Sequence, residues 1–264
     1  MRIVTCVKPV RSELISLSDA GEDSLTLNPY DNFALQDIIR AKNELYENKE
    51  KCEITCVAMG TLSSKEVLTK CIAYGADRAV LLSDKRFSGA DTVATTYVMY
   101  KFFEITEMPL LIVCGQKSVD GETGQVVYGI AKRLGIPCIV NVNRIISITD
   151  EYVVVSVSDA DKYQKIKVKL PAIIAYNEFT IHQPSVSLLK LKQARRKEID
   201  ILGLDDINAD ENKCGISGSR TKVINIVSNI TAKAEKQVFV EVDDEIETIL
   251  NLIGKYSMEG KNDE

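Results

Sequence analysis

The sequence predicts an α/β protein with a doubly wound, mostly parallel sheet, an antiparallel hairpin at one sheet edge and a C-terminal arm. Short, continuous apolar runs alternate with segments of helical periodicity, which is the pattern of strands buried on both faces and connected by helices. A later pair of segments alternates apolar residues with lysines, which is typical of an exposed hairpin. After residue 198 the rhythm ends, so we expect a first domain over residues 1–198 and an arm over residues 199–264.

The predicted strands are the short apolar runs of the first two thirds of the chain. They cover residues 2–8, 53–59, 78–82, 110–114, 138–140 and 172–176. The first predicted helix, at residues 31–46, carries one apolar stripe formed by Ala34, Leu35, Ile38, Ala41 and Leu45. Because helices separate successive strands, the connections are expected to be right-handed crossovers between parallel strands.

Start and stop signals define three further helices. One covers residues 63–74, opens with a capping box of Ser63 and Glu66, and stops at Gly75. Another covers residues 92–104 behind an Asp91 cap. The last begins near Thr123 and ends at Gly135.

Residues 152–158 and 163–170 flank a polar turn and predict the antiparallel edge hairpin. From residue 200 to 220 the chain is polar and irregular. A strand at residues 222–227 and an amphipathic helix at residues 243–256 are expected in the arm.

Composition excludes several classes of protein. The 264 residues are 45% hydrophobic and 27% charged, which is enough for a full core. A net charge of -5 argues against a nucleic-acid binder, which needs a basic face. Neither a long apolar segment nor a signal peptide is visible, so we expect a soluble, cytoplasmic protein without membrane insertion.

Cysteine and histidine usage limits the chemistry. Seven cysteines without paired CxxC spacing indicate buried free thiols. The single histidine, His182, is expected in a surface loop, and one histidine largely excludes a histidine-based triad or a multi-histidine metal site. We therefore expect no metal site.

Residues 115–126 form the best candidate ligand site. They follow an apolar strand and lead into a helix, and a helix N-terminus beyond a parallel strand offers free N–H groups to an anion. The segment lacks the Lys-Ser/Thr ending of a P-loop and the three-glycine dinucleotide spacing. The alternative, that its glycines only serve turn geometry, stays open.

Five segments in the same order resemble the beta subunit of electron transfer flavoproteins. They are residues 3–8, 28–31, 73–78, 120–126 and 170–174. The resemblance covers most of residues 1–200. The chain departs from the family pattern at residues 9–13 and 182–186, where the family usually has a Pro-Asp-containing segment and an Asn-Glu-Pro-Arg-Tyr segment.

The resemblance implies a partner, the larger alpha subunit, whose FAD exchanges electrons with a dehydrogenase, and an adenine nucleotide bound by this chain. In respiratory members that nucleotide is AMP. In bifurcating members it is a second FAD, reduced by NADH, which serves both a low-potential acceptor such as ferredoxin and an acyl-CoA or 2-hydroxyacid dehydrogenase. Residues 120–126 are close to the bifurcating Asp-Gly-Asp-Thr-Ala-Gln-Val form, and residues 89–95 resemble a second bifurcating segment, so FAD is favoured over AMP.

The resemblance also assigns site residues, with the flavin rather than a side chain carrying the chemistry. Backbone N–H groups of residues 121–125 and the Thr123 hydroxyl would hold a diphosphate, and strand-end residues would surround the adenosine. For Cys6 and Met59 core packing is the alternative, and for Asp91 and Thr92 an ordinary helix cap. The expected cofactor-binding residues are Cys6, Asn28, Pro29, Tyr30, Asp31, Met59, Asp91, Thr92, Thr95, Gly115, Asp120, Gly121, Glu122, Thr123, Gly124, Gln125 and Val126.

Residues 188–197 combine leucines with a basic run, and a solvated helix face is the simplest interpretation. In the family the corresponding segment docks the dehydrogenase through an apolar anchor with a basic rim. The resemblance thus assigns docking to Leu188, Lys190, Lys192, Arg195 and Arg196. It also makes residues 1–198 the nucleotide- or flavin-binding domain and packs the arm on the alpha subunit.

Two other classes share parts of this pattern. A universal-stress-type regulatory protein would have the same β-α alternation and a Gly-rich nucleotide loop, but it would not need the basic segment or the arm. An adenylating or ATP-pyrophosphatase enzyme would need a Ser-Gly-Gly-x-Asp-Ser type of loop after the first strand, where this chain has Pro-Val-Arg-Ser.

Overall fold

The computed structural model describes residues 1–14, 24–47, 49–159, 162–179, 184–221 and 246. One compact unit covers Met1–Lys222. The domain boundary expected after residue 198 lies inside this unit, and the assignment of residues 199–264 to an arm stays a prediction. His182, the strand expected at residues 222–227 and the helix expected at residues 243–256 lie outside the described residues.

Among the described residues, nine strands form the main sheet, and two short ones form a separate antiparallel pair. The strands are β1 (Arg2–Cys6), β2 (Pro9–Arg11), β3 (Leu25–Leu27), β4 (Glu53–Met59), β5 (Arg78–Leu82), β6 (Leu111–Gly115), β7 (Cys138–Ile148), β8 (Tyr152–Asp159), β9 (Lys162–Lys169), β10 (Ala172–Tyr176) and β11 (Asp200–Leu202). The helices are α1 (Pro29–Glu44), α2 (Lys65–Tyr74), α3 (Thr92–Ile105), α4 (Val126–Leu134), α5 (Leu188–Ala194) and α6 (Gly215–Gly218).

The main sheet has the order β11-β5-β4-β1-β6-β10-β7-β8-β9. Strands β11 through β7 in that order are parallel, and β8 and β9 add the antiparallel hairpin at the edge. This confirms the predicted doubly wound, mostly parallel sheet with an edge hairpin.

Helices cover both faces of the sheet. Side chains of α1 and α2, such as Leu35 and Leu68, pack in one buried cluster, whereas α3 and α4 contribute Phe102 and Ile130 to a cluster on the other face. The chain winds from β1 outward to β5 and then crosses through α3 to β6 on the other side of β1. The switch point of the sheet therefore lies between β1 and β6, where open α/β sheets bind ligands.

Three elements differ from their predictions. The expected capping box at Ser63 is wrong, because a 3₁₀ turn at Leu62–Ser64 precedes α2 and Ser64, at the N-cap, makes no side-chain cap. Strand β7 has eleven residues where three were expected, since its first half pairs with β10 and its second half with β8. Strand β11 lies in the stretch expected to be irregular, where it pairs with β5.

Within the described part of the chain, no helix combines the length and apolar character needed to cross a membrane.

Candidate functional site

The central parallel strands end together at the switch point. Cys6 ends β1 and pairs with Cys114, next to the last residue of β6, and Met59 ends the neighbouring β4. Both Cys6 and Met59 are half-buried and lie at this edge of the sheet. Burial, followed by the charge of Asp31, raises the pKa of the Cys6 thiol, so the thiol stays protonated.

Asp31, in the first turn of α1, joins three segments of the chain at this edge. Its buried carboxylate accepts the backbone N–H of Lys8 at 2.8 Å, the backbone N–H of Gly115 at 2.8 Å and the Asn28 amide at 3.0 Å. Burial raises the pKa of Asp31 to about 6, although these hydrogen bonds act in the opposite direction. The carboxylate therefore holds the ends of β1 and β6 against α1.

Gly115 allows this close approach. A Cβ at this position would lie 2.5 Å from the Tyr30 Cβ and 2.9 Å from the Asp31 backbone nitrogen. No larger residue fits there without moving the backbone of α1.

Asn28 fixes the loop that follows β6. Its amide donates to the Lys117 carbonyl at 3.0 Å, and its Oδ1 accepts the Val119 N–H at 3.3 Å. Pro29 occupies the first position of α1, and the Tyr30 ring lies 5.4 Å from the Phe179 ring. The expected adenosine contacts at residues 28–31 thus also organise the protein's own loop, and their contact with a nucleotide stays a prediction.

The loop from Ser118 to Gln125 is shaped by two residues with left-handed backbone. Glu122 has φ 48° and Gly124 has φ 63°, and the Glu122 N–H donates to the Ser118 carbonyl at 2.9 Å. A right-handed helix cannot include these conformations, so α4 begins at Val126 and not near Thr123 as expected.

This loop has the features that a diphosphate requires. Gln125, at the N-cap of α4, makes no side-chain capping hydrogen bond, so no side chain of this residue occupies the positive end of the helix. A Cβ at Gly121 or at Gly124 would find its nearest neighbour at 3.7 Å, so neither glycine is tightly packed against the protein. The residues present therefore fit a phosphate group held by backbone N–H groups.

The side chain of Lys8, which follows β1, also contacts this loop, and the sequence analysis did not predict this contact. Its Nζ lies 2.7 Å from each carboxylate oxygen of Asp120 and 3.3 Å from Ser118 Oγ. Although partial burial opposes the effect, Lys8 and Ser118 lower the pKa of Asp120. The signal available in the sequence was the position of Lys8 just beyond the first strand, at the same edge as the loop.

Asp91 caps α3 and is fully engaged within the protein. One oxygen accepts the N–H groups of Val93 at 2.9 Å and Ala94 at 3.0 Å. The other accepts the N–H groups of Arg220 at 2.7 Å and Thr221 at 3.0 Å, and the Thr221 hydroxyl at 3.2 Å. Burial raises the pKa of Asp91, but these hydrogen bonds outweigh it and lower the pKa to about 2. The helix cap is therefore present, and contact of Asp91 with a cofactor stays a prediction.

Residues 215–221 form a segment, here called the latch, that packs against residues 86–91. The Asp91 N–H donates to Ser219 Oγ at 2.8 Å, and this hydroxyl lies 2.7 Å from the Gly215 carbonyl. A Cβ on Gly215 would overlap the Arg86 carbonyl oxygen. Thr92 and Thr95 are half-buried at the same helix end, and their contact with a cofactor stays a prediction.

The expected docking residues lie on or just beyond a short helix. Helix α5 is capped by Ser187, packs on α2 and buries Ala194. Leu188 is 84% exposed and Leu189 is 67% exposed, so two adjacent leucine side chains lie at the surface. The four basic residues of the rim are also exposed: Lys190, Lys192, Arg195 and Arg196. An exposed apolar residue with a basic rim is thus present, and docking stays a prediction.

The fold and the site define a doubly wound α/β protein with an open, anion-compatible loop at its switch point. Comparison with known proteins assigns it further. The electron transfer flavoprotein domain matches residues 20–206. The chain belongs to the electron transfer flavoprotein family.

Several relatives are similar to this chain over most of its length, and some of them are named electron transfer flavoprotein subunit beta. Protein FixA of Azorhizobium caulinodans is 32% identical over 255 residues, which cover 91% of this chain and 89% of the relative. The electron transfer flavoprotein subunit beta of Thermoanaerobacterium thermosaccharolyticum is 34% identical, over 83% of this chain and 80% of the relative. The caffeyl-CoA reductase-Etf complex subunit CarD of Acetobacterium woodii is 31% identical, over 84% of this chain and 86% of the relative.

Proposed function

We propose that the chain forms a heterodimer with an electron transfer flavoprotein alpha subunit and holds FAD at the loop between β6 and α4. One observation carries this proposal. In this chain, a glycine-containing loop lies at the switch point of the sheet, in front of a helix N-terminus that has no side-chain cap. The universal-stress and pyrophosphatase alternatives have no comparable support.

The residues of this chain would bind and orient the cofactor. N–H groups of residues 121–125 and the Thr123 hydroxyl would hold the diphosphate, while Asp31 and Asn28 keep the loop in place. Cys6 and Met59 lie at the strand ends, where the adenosine would approach the backbone closely. When bound, FAD would supply the redox chemistry, with NADH as the electron donor.

We favour FAD and electron bifurcation over AMP because of residues 120–126, whose sequence is close to the bifurcating form. The second sequence feature, residues 89–95, contributes less, since the Asp91 carboxylate already accepts five hydrogen bonds from the protein. A non-bifurcating beta subunit with AMP as a structural nucleotide is the second candidate.

The proposed partners follow from the relatives and from α5. The Acetobacterium woodii relative is named as a subunit of a caffeyl-CoA reductase-Etf complex. We propose an acyl-CoA or 2-hydroxyacid dehydrogenase as the partner at α5 and a protein such as ferredoxin as the low-potential acceptor. A cytoplasmic location accords with seven free cysteines.

Cofactor content tests the proposal. The chain is co-expressed with its alpha subunit, and flavin and AMP are quantified per heterodimer after denaturation. Two FAD are expected. One FAD plus AMP would contradict bifurcation and support the second candidate, and a heterodimer with one FAD and no nucleotide in this chain would contradict the proposed site.

Docking is tested by removing the anchor and reversing its rim. Leu188→Ala combined with Lys190→Glu and Lys192→Glu is expected to weaken binding of the dehydrogenase by roughly thirtyfold, because loss of an anchor costs on the order of 2 kcal/mol. NADH reduction of the flavin should be unchanged. The matched control is Lys162→Glu with Lys165→Glu on the exposed edge strand β9. Equal affinities of both variants would restore the interpretation of α5 as a solvated helix.

A further inference from the structure

Lys8 is fixed at the candidate loop by its own backbone. Its N–H donates to Asp31 at 2.8 Å, and its carbonyl accepts the Asn28 N–H at 3.0 Å. From this anchored position the side chain reaches across to the loop after β6. The ammonium contacts both oxygens of Asp120 at 2.7 Å and lies 4.0 Å from the position a Cβ would take on Gly121. The cation therefore sits beside the backbone that would hold a phosphate.

The loop has an electrostatic problem that this lysine resolves. Asp120 and Glu122 place two carboxylates in a segment that would hold an anion, and like charges that lie close together repel each other. Pairing with Lys8 neutralises Asp120. The side chains of the pair are 49% and 34% exposed, so water and a charged ligand can reach them.

We propose that Lys8 is the phosphate-binding cation of this site and that Asp120 competes with the bound nucleotide for it. The inference rests on the proposed nucleotide site and adds to it a source of positive charge beside residues 118–125, which contain no lysine or arginine. In this arrangement Asp120 pairs with Lys8 when no nucleotide is bound, and an incoming diphosphate displaces the Asp120 carboxylate from the Lys8 ammonium group. The affinity for a diphosphate is then set by this exchange of anions on one ammonium group.

The competing explanation is that the ion pair only shapes the loop. The two explanations predict opposite effects of one substitution on the affinity for the nucleotide. Removing the Asp120 charge strengthens nucleotide binding if Asp120 competes, because Lys8 becomes free for the phosphate. It weakens binding if the pair is a structural pin.

The test is a titration of the heterodimer, freed of the nucleotide of this chain, with ADP and with FAD. Lys8→Met should weaken binding of both at least roughly tenfold and flatten its salt dependence, because one charge contact to the ligand is lost. Asp120→Asn should strengthen binding severalfold. Lys8→Arg should bind within about threefold of the unmodified protein, and Lys132→Met, near the C-terminal end of α4, serves as the lysine-removal control.

Weaker binding in Asp120→Asn would overturn the proposal, as would unchanged binding in Lys8→Met. The Asp120→Asn result stands even if Lys8→Met does not fold. Failure of the proposed function looks different, since the unmodified heterodimer would then bind neither ADP nor FAD at this loop, and Gly124→Val would change nothing.

Discussion

Two helices begin at the same edge of the sheet, and their N-termini are used in opposite ways. Asp91 closes the N-terminus of α3, where it accepts two N–H groups of the helix and three donors of the latch. The N-terminus of α4 has no side-chain cap and follows a loop with left-handed backbone at Glu122 and Gly124. The first helix end holds the protein's own carboxylate, and the second is open to an anion from outside.

The comparison shows why a helix N-terminus alone does not identify a ligand site. Both ends carry the same dipole and the same unpaired N–H groups in principle. What separates them is whether the chain supplies its own anion. At α3 an external phosphate would have to displace a carboxylate that holds five hydrogen bonds, whereas at α4 it would meet open backbone.

The largest expected effect follows from closing the open end. Gly124→Val puts a β-branched residue at φ 63° and adds a side chain to the proposed phosphate loop. A strained backbone of this kind costs on the order of 1–3 kcal/mol, and the side chain would also exclude the phosphate. We expect the nucleotide affinity of this chain to fall at least roughly 100-fold, measured as nucleotide content and Kd of the purified heterodimer.

Gly135→Val is the matched control. Gly135 ends the same helix, has φ 68° and has no neighbour within 4 Å of a Cβ. The backbone strain is therefore similar at both positions, but only Gly124 lies at the proposed site. Equal nucleotide loss in the two variants would mean that strain, and not occupation of the loop, is responsible.

A smaller effect is expected from opening the closed end. Asp91→Ala removes a cap and the attachment of the latch, so the free energy of unfolding should fall by about 2 kcal/mol. Protease cleavage between residues 215 and 221 should become faster. Ser219→Ala weakens the latch but keeps the cap, so a smaller loss is expected, and nucleotide affinity should change less than about twofold in both. If Asp91→Ala lost nucleotide without losing stability, Asp91 would be a cofactor-binding residue.

The sequence predicted the parts of the fold that local pattern determines. Strands Glu53–Met59, Arg78–Leu82 and Ala172–Tyr176 have the expected boundaries because each is a continuous apolar run between polar residues. Strand β11 was missed because its three residues owe their conformation to pairing with β5 and to the 2.8 Å ion pair between Asp200 and Arg78. Such tertiary contacts leave no periodic signal.

The site was predictable to a similar degree. The loop after β6 and the Asp91 cap could be read from glycine spacing and from a capping residue before an apolar helix. The start of α4 could not, since it depends on positive φ at Glu122, a residue type that rarely adopts it. Lys8 was missed because its partner Asp120 is 112 residues away in sequence, and only the sheet order brings β1 beside β6.

The smallest predicted effect concerns the opposite pKa shifts of the Asp31 and Asp91 carboxylates. Burial raises the pKa of Asp31 from 3.8 to about 6, whereas hydrogen bonds lower the pKa of Asp91 to about 2. Since the folded state binds a proton at Asp31 more tightly, this group stabilises the fold fully below pH 3.8, and the contribution is lost as pH rises through 6. Relative to Asp31→Asn, the unfolding free energy should fall by about 1 kcal/mol between pH 5 and 6 in denaturant titrations. Parallel curves for the two proteins would contradict the raised pKa.

The central claim is that the open N-terminus of α4, and not the closed one of α3, receives the nucleotide phosphates. Amide hydrogen exchange of the heterodimer with and without ADP tests it most directly, because it reports each helix end in the same experiment. We expect ADP to slow exchange at residues 121–126 and to leave residues 92–95 unchanged. Protection of residues 92–95 with no change at residues 121–126 would contradict the claim.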